Sequence, residues 1–163
     1  MNLKELLILF LLSILPLWEG RYTVILALTQ YVGVDMVVAF TTIIAATLFL
    51  ALALTMFMQY IDKFFMWCGT SRNRLLKFMY VLYSKYLNRA RVKAKPYVER
   101  YGVLALTIFV VVPVPATGVW TGALIAYIFG FDKVKAFIAL FSGGVASITI
   151  VSLLYLFFRI VIG

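Results

Sequence analysis

Histidine is absent from this chain, cysteine occurs once, at Cys68, and only six residues are acidic. The lack of histidine removes the commonest general base and a common metal ligand, and one cysteine can form neither an intrachain disulfide nor a Cys/His zinc site. The sequence shows no nucleophile paired with a base and no metal-binding cluster. We therefore expect no enzyme activity, no metal and no other cofactor.

Charged residues are also scarce, at 13% of the chain, whereas 65% of the residues are hydrophobic. A soluble domain of 163 residues cannot hide that much apolar surface in its interior. The composition therefore predicts an integral membrane protein.

The basic residues are unevenly distributed. Ten of the 15 Lys and Arg residues lie in segment 62–100, where only Asp62 and Glu99 oppose them. Because cytoplasmic loops carry an excess of Lys and Arg, we place this linker in the cytoplasm. We expect no nucleic-acid partner.

The apolar runs 36–61 and 136–158 are long enough to cross a bilayer core of about 30 Å. The chain is thus expected to be a multi-pass protein of the cell membrane.

Two other apolar segments are interrupted by proline. Segment 6–34 is broken at Pro16 to Arg21, and segment 101–131 is broken at Pro113 to Gly118. A helix of about 12 residues rises about 18 Å, which is roughly half of the bilayer. We therefore interpret each segment as a re-entrant helical hairpin whose tip lies inside the membrane and faces the other tip. The alternative is a set of ordinary short or Pro-kinked spans.

Displacing the chain by 97 residues aligns the two halves without a gap: Pro16 meets Pro113, Gly33 meets Gly130 and Asp35 meets Asp132. Asp132 has basic neighbours and Asp35 has none, which favours opposite orientations in the membrane. The predicted fold is all-α, with inverted repeats at 1–61 and 101–163. Each repeat is a hairpin (6–34 or 101–131) followed by a transmembrane helix (36–61 or 136–158), and the basic linker joins the two repeats.

The linker has the periodicity of an amphipathic helix, which we expect to end at Pro96. The apolar face carries Leu76, Met79, Tyr80, Tyr83, Leu87, Ala90 and Ala94, and the opposite face carries Arg74, Lys77, Lys85, Arg89 and Lys95. Such a helix can lie on the anionic lipids of the cytoplasmic leaflet or pair with a second copy in a homodimer.

Glu19 and Arg21 are the ionisable residues at a predicted hairpin tip. A charge inside the membrane must be paired, hydrated or turned towards the protein interior. In a functional interpretation Glu19 binds a proton or cation, and Arg21 binds an anionic group. In a structural interpretation the two residues form a clamp.

The second tip supplies the other candidate substrate- or ion-binding residues. Its prolines break the helix and remove amide donors, a threonine can cap the next half-helix, and its glycines permit close backbone approach. The candidates are Pro113, Pro115, Thr117, Gly118, Trp120, Thr121 and Gly122.

The string VPVPATGVWTGA from Val112 to Ala123, preceded by Glu99 to Gly102, resembles the signature of the small multidrug export protein family. The motif Pro16-x-x-Glu19-x-Arg21 resembles the first-half motif of that family. The chain departs from the pattern at Ala116, where glycine is expected, and at Ile25, where proline is frequent. The family is in turn similar to DedA-type membrane proteins, whose paired re-entrant hairpins are implicated in moving lipids.

The resemblance implies a transporter for an amphiphilic substrate, with proton exchange as a possible driving force. A cationic drug would favour Glu19 as its counter-ion, whereas a lipid phosphate would favour Arg21 and the helix N-termini. The alternatives are a DedA-like lipid flippase or scramblase and a membrane assembly factor that transports nothing.

Overall fold

A computed structural model of the chain describes residues 1–16, 18–114 and 117–162. All regular structure in these residues is helical, which confirms the all-α part of the predicted fold. The seven described helices are α1 (Leu3–Ile14), α2 (Glu19–Gln30), α3 (Gly33–Thr70), α4 (Arg74–Tyr101), α5 (Val103–Val111), α6 (Val119–Ile128) and α7 (Lys133–Ile162).

Helices α3 and α7, with 38 and 30 residues, are long and apolar enough to cross a membrane. Both extend beyond the predicted spans of 36–61 and 136–158. The apolar run of α3 ends at Ile61, but residues 62–68 contain no glycine or proline, so the helix continues to Thr70. Part of the basic linker is therefore an extension of α3.

The four remaining helices of the two halves are short, with 12 residues in α1 and α2, nine in α5 and ten in α6. At about 1.5 Å per residue they rise about 14 to 18 Å, too little to cross a core of about 30 Å. Pro16 lies in the break between α1 and α2, and Pro113 lies in the break between α5 and α6. The interruptions thus lie where the prolines predicted them.

The short helices pack around α3 and α7, which contact each other. One buried cluster, around Leu9, Val24, Ile43 and Ile148, joins α1, α2, α3 and α7. A second cluster joins α3, α5, α6 and α7 through Leu50, Leu54, Val110, Val119, Ala123 and Leu140. Because both clusters include residues of α3 and α7, these helices form the centre on which the two breaks are positioned.

Gly122 allows α6 to lie close to α5 and α7. A Cβ atom at this position would lie 2.5 Å from Cγ2 of Val110 and 2.7 Å from Cδ2 of Leu140. Such distances are far below van der Waals contact, so a larger residue here would have to displace the side chains of Val110 and Leu140. Gly122 was predicted as a site residue, but its surroundings are those of a packing residue.

Helix α4 has the predicted amphipathic character, since Ala90 and Ala94 are buried while Lys85 and Arg89 are exposed. The prediction that Pro96 ends the helix is wrong, because α4 continues to Tyr101. Proline at this position removes the hydrogen bond to the carbonyl of residue 92. Val92 is 73% exposed, so water can solvate that carbonyl and the helix tolerates the loss.

Candidate substrate site at the two helix breaks

The two helix breaks contact each other through side chains that reach across from one half to the other. The guanidinium of Arg21, in α2, donates from Nη1 to the carbonyls of Val112 and Val114, 3.4 Å away in each case. In the other direction, the indole Nε1 of Trp120 donates to the carbonyl of Ile14, at 2.9 Å. The backbone carbonyls released where α1 and α5 end are thus bound by the opposite half.

Glu19 and Arg21 form a buried ion pair, with 2.7 Å between Nη2 of Arg21 and Oε2 of Glu19. Glu19 is only 6% exposed and Arg21 only 5%. Moving either charge alone out of water is expensive, so each requires the other at this position. Of the arrangements expected for such charges, namely pairing, hydration or a position facing the protein interior, the structure shows a pair within the interior.

The carboxylate of Glu19 also caps helix α6 from the other half of the chain. The backbone amides of Val119 and Trp120 donate to its two oxygens, at 3.3 Å each. These amides begin the helix and have no partner within it, and the helix dipole favours a negative charge there. Glu19 adopts φ 51°, a left-handed conformation uncommon for residues other than glycine, which is consistent with a tightly constrained tip.

Thr117 does not cap α6, contrary to the expectation for a threonine before a half-helix. Its hydroxyl donates to the carbonyls of Val112 and Val114, at 2.7 Å each. These are the carbonyls that also accept from Arg21. The capping position is taken by Glu19, so Thr117 instead stabilises the turn that follows α5.

Gly118 provides the space that the ion pair occupies. A Cβ atom built there would lie 1.9 Å from Nη2 of Arg21 and 1.9 Å from Oε2 of Glu19. Its φ of −91° is accessible to any residue, so the requirement for glycine is steric. No larger side chain fits without moving the ion pair.

A cavity of about 280 Å³ lies beside the ion pair, between the breaks and helices α3 and α4. Glu19 and Arg21 form part of its wall, and most of the rest is apolar or aromatic. The aromatic lining residues are Tyr22, Phe65, Tyr83, Tyr86 and Trp120. Ligand sites for small molecules are commonly concave and apolar with a few polar groups, and this cavity has that character.

The sequence did not predict a second polar cluster, which is formed by Asp62, Tyr83 and Tyr127. The hydroxyl of Tyr83 donates to Oδ1 of Asp62 at 2.8 Å, and that of Tyr127 donates to Oδ2 at 3.2 Å. Burial, together with the hydrogen bond and the charge of Asp62, raises the pKa of Tyr83, so its hydroxyl stays protonated. The sequence presented Asp62 only as a charge of the linker. Its position directly after the apolar run 36–61 could have indicated that it lies close to the helix bundle.

The remaining predicted residues have distinct positions. Thr121 lines the 280 Å³ cavity, and its hydroxyl is hydrogen-bonded to that of Tyr86. Pro113 lies between the two carbonyls that accept from Arg21, and it does not line the described cavity. Pro115 and Ala116 lie outside the described residues. The structure therefore brings Glu19, Arg21, Thr117, Gly118, Trp120 and Thr121 together and separates Gly122 from them.

A small polar cavity of about 10 Å³ lies on another side of the ion pair, lined by Ser13, Thr47 and Ser147 among others. Ser13 and Thr47 donate to carbonyls one helical turn earlier. The buried hydroxyl of Ser147 has no hydrogen-bond partner among the described residues. The space is about that of one water molecule. On this side, therefore, the ion pair has a polar environment.

The buried ion pair predicts strong coupling between Glu19 and Arg21 in a double-mutant cycle of protein stability. Glu19→Gln and Arg21→Gln should each destabilise the protein by about 3 to 5 kcal/mol, because each leaves an uncompensated buried charge. The double variant should be more stable than either single variant. Thermal unfolding of the purified protein in detergent measures this, with Lys95→Gln as a control because Lys95 and Glu99 form an exposed pair. Additive losses in the double variant would contradict a coupled pair.

Gly118→Ala should destabilise the protein more than Gly130→Ala does. Gly130 has φ +66° and nothing within 4 Å of a built Cβ, so alanine there incurs only the backbone cost of about 1 kcal/mol. At Gly118 alanine must displace the ion pair, although its own backbone conformation is ordinary. Unfolding midpoints of the two variants, measured side by side, check the prediction. Equal midpoints would contradict the close contact at Gly118.

The chain matches the family model described as "Putative small multi-drug export protein" over residues 19–150. No curated protein and no solved structure matches it. The matched residues include the ion pair, the second helix break and most of the two long apolar helices. An export family together with these helices indicates a location in the membrane. Because the match covers well over half of the sequence, the chain belongs to the family of small multi-drug export proteins.

Proposed function

We propose that this protein moves an amphiphilic substrate across the membrane and binds it in the cavity beside Glu19 and Arg21. The observation that carries the proposal is the buried ion pair that links the two helix breaks at the wall of an aromatic cavity. Broken helices whose ends surround a polar site are the usual binding architecture of secondary transporters. The apolar lining favours a substrate with a large apolar part.

The pattern of helix contacts supports an inverted repeat with halves 1–61 and 101–163. Among these six helices, exchanging α1, α2 and α3 with α5, α6 and α7 leaves the pattern unchanged, since α1 packs on α3 as α5 packs on α7, and α2 contacts α7 as α6 contacts α3. Gly33 and Gly130, which the displacement of the chain aligns, both have positive φ before a long helix. Related halves permit alternating access to one central site.

The lengths of the short helices support the re-entrant hairpins at 6–34 and 101–131. No single one of α1, α2, α5 and α6 can cross the bilayer core, but each pair can enter and leave by the same face. The hydrogen bonds between the breaks satisfy backbone groups that would otherwise be exposed to lipid. Tips that meet within the protein are therefore compatible with membrane depth.

The basic linker supports a cytoplasmic location, with the outward face of α4 against the anionic leaflet. Lys85 and Arg89 are exposed next to the exposed side chains of Leu75, Phe78 and Leu82. Neighbouring basic and large apolar groups are typical of a helix lying at the headgroup level. A second copy that covers these residues is the alternative arrangement.

Cysteine labelling should place the linker in the cytoplasm. In intact cells, Lys85→Cys should react with an impermeant maleimide only after the membrane is opened. Val32→Cys, at an exposed position between α2 and α3, should react from outside. Native Cys68 is buried, so the unmodified protein is the background control. Reaction of Lys85→Cys in intact cells would invert the proposed topology.

A second candidate function, lipid translocation, is favoured by an apolar groove of about 340 Å³ between α4 and α5. Lys93 lies in its wall together with Tyr97, Tyr101 and Phe109. A lipid could place an acyl chain in this groove and its phosphate near Lys93, which matches the location of the basic linker. The transport assay below separates this function from export of a soluble amphiphile.

Transport should require the ion pair, and reconstituted protein tests this directly. Proteoliposomes would be offered cationic, neutral and anionic fluorescent amphiphiles and a labelled phospholipid, with and without a proton gradient. The double variant Glu19→Gln/Arg21→Gln should reduce transport by about tenfold or more, equivalent to about 1.4 kcal/mol in transition-state stabilisation. The matched control is Lys95→Gln/Glu99→Gln, which removes an exposed pair.

The outcomes are distinct. Full transport in the double variant would mean that the pair is structural, and both residues would be withdrawn as a binding site. Movement of the phospholipid alone would favour the lipid translocase. Movement of no probe would contradict a transport function.

A further inference from the structure

We infer that Asp62 recognises a cationic group of the substrate at the edge of the aromatic cavity, a role that rests on the proposed transport function. Asp62 lies in α3, and its carboxylate joins Tyr83 of α4 to Tyr127 of α6. Both tyrosines donate through their hydroxyls, so the carboxylate is positioned but keeps its negative charge. Among the described residues no Lys or Arg nitrogen lies within 4.0 Å of it.

The local charge balance favours a cation over an anion. Arg21 is matched by Glu19, and the N-terminus of α6, which could otherwise bind an anion, already holds the Glu19 carboxylate. The ion pair is therefore neutral as a unit. Among the described residues that line the cavity, Glu19 and Arg21 are the charged ones, and Asp62 is linked to the wall through its hydrogen bond with Tyr83. A substrate with one positive charge would compensate it.

Asp62 is hydrogen-bonded to two tyrosines that line two different spaces in the protein. Tyr83 lines the 280 Å³ cavity, whereas Tyr127 lines a neighbouring cleft of about 250 Å³ between α3, α6 and the beginning of α7. Met58, one helical turn before Asp62 in α3, lines both spaces, so they adjoin on this side of α3. Lys133 lines the second cleft and would repel a cation there. The favoured position for a cation is thus the first cavity, on the Tyr83 side.

The aromatic side chains define the chemical class of the cation. The rings of Phe65 and Tyr83 stack with centroids 4.3 Å apart, and Tyr86 and Trp120 line the same cavity. Ring faces attract cations that have shed their water, such as quaternary ammonium or phosphonium groups. The described lining of the cavity lacks the dense set of oxygen ligands that a hard metal ion requires once it loses its water. We therefore assign it to lipophilic organic cations.

Binding of tetraphenylphosphonium to the purified full chain tests the assignment. Asp62→Asn keeps the shape of the side chain and removes its charge, so affinity should fall by about tenfold or more, the range expected when a counter-ion is lost from a partly buried site. Glu99→Gln removes the other acidic charge of the linker from an exposed pair, and its affinity should match the unmodified protein. Equal affinity in all three proteins, or equal loss in both variants, would overturn the inference.

A measurement on the unmodified protein keeps the test valid if Asp62→Asn does not fold. Carbodiimide labelling of carboxylates, read by mass spectrometry, should be reduced at Asp62 by tetraphenylphosphonium and unchanged at Glu99. Absence of protection at Asp62 would show that the cluster only joins helices.

The reconstituted assay separates this inference from the proposed function. If Asp62→Asn and the unmodified protein transport cationic and neutral amphiphiles at the same rates, the role of Asp62 is wrong and transport stands. If Asp62→Asn loses only the cations, both are supported. If the unmodified protein moves no amphiphile, the transport function itself fails, whatever the binding data show.

Discussion

The buried ion pair between Glu19 and Arg21 is the interaction on which the arrangement of the two halves depends. Each charge binds backbone groups at the opposite break: the carboxylate binds the first amides of α6, which have no partner within that helix, and the guanidinium binds carbonyls just after α5 that also accept from Thr117. Unpaired backbone groups cannot be left facing lipid. The ion pair thus offsets two unfavourable terms. One is the burial of its own charges, and the other is the set of backbone groups left at the helix break of the second half.

The pair also explains why the two halves differ in sequence where they meet. In the aligned halves, Glu19 and Arg21 correspond to Ala116 and Gly118. Gly118 lies directly against the pair, with no room for a Cβ atom. If the halves are related by a two-fold axis as proposed, the space near that axis holds the ion pair only once. One half supplies the charges, and the other half supplies Gly118, which leaves room for them.

Features that depend on local chemistry could be predicted from the sequence. The prolines marked both breaks, the cost of a charge in the membrane predicted that Glu19 and Arg21 would be paired, hydrated or turned inward, and helical periodicity identified the buried face of α4. Features that depend on partners distant in the chain could not. The cap of α6 comes from Glu19, about a hundred residues earlier, so Thr117 appeared to be the cap.

Asp62 was missed for a related reason. Its charge marked the boundary of the linker, and Tyr83 was assigned to an apolar face that could contact either lipid or protein. Only the fold shows that this face packs on the helices and brings the Tyr83 hydroxyl to Asp62. A pattern of apolar residues gives the direction of a helix face but does not identify what covers it.

The electrostatic potential in the cavity depends on how strongly water and salt screen each nearby charge. The ten basic residues of segment 62–100 give the linker a strong positive charge, which alone would repel an organic cation. Most of those side chains are exposed, where salt screens them over about 8 to 10 Å. Asp62 is partly buried near an apolar cavity, where water and salt screen its field less than they screen the exposed charges. A cation close enough to contact Tyr83 is therefore governed by Asp62 rather than by the linker as a whole.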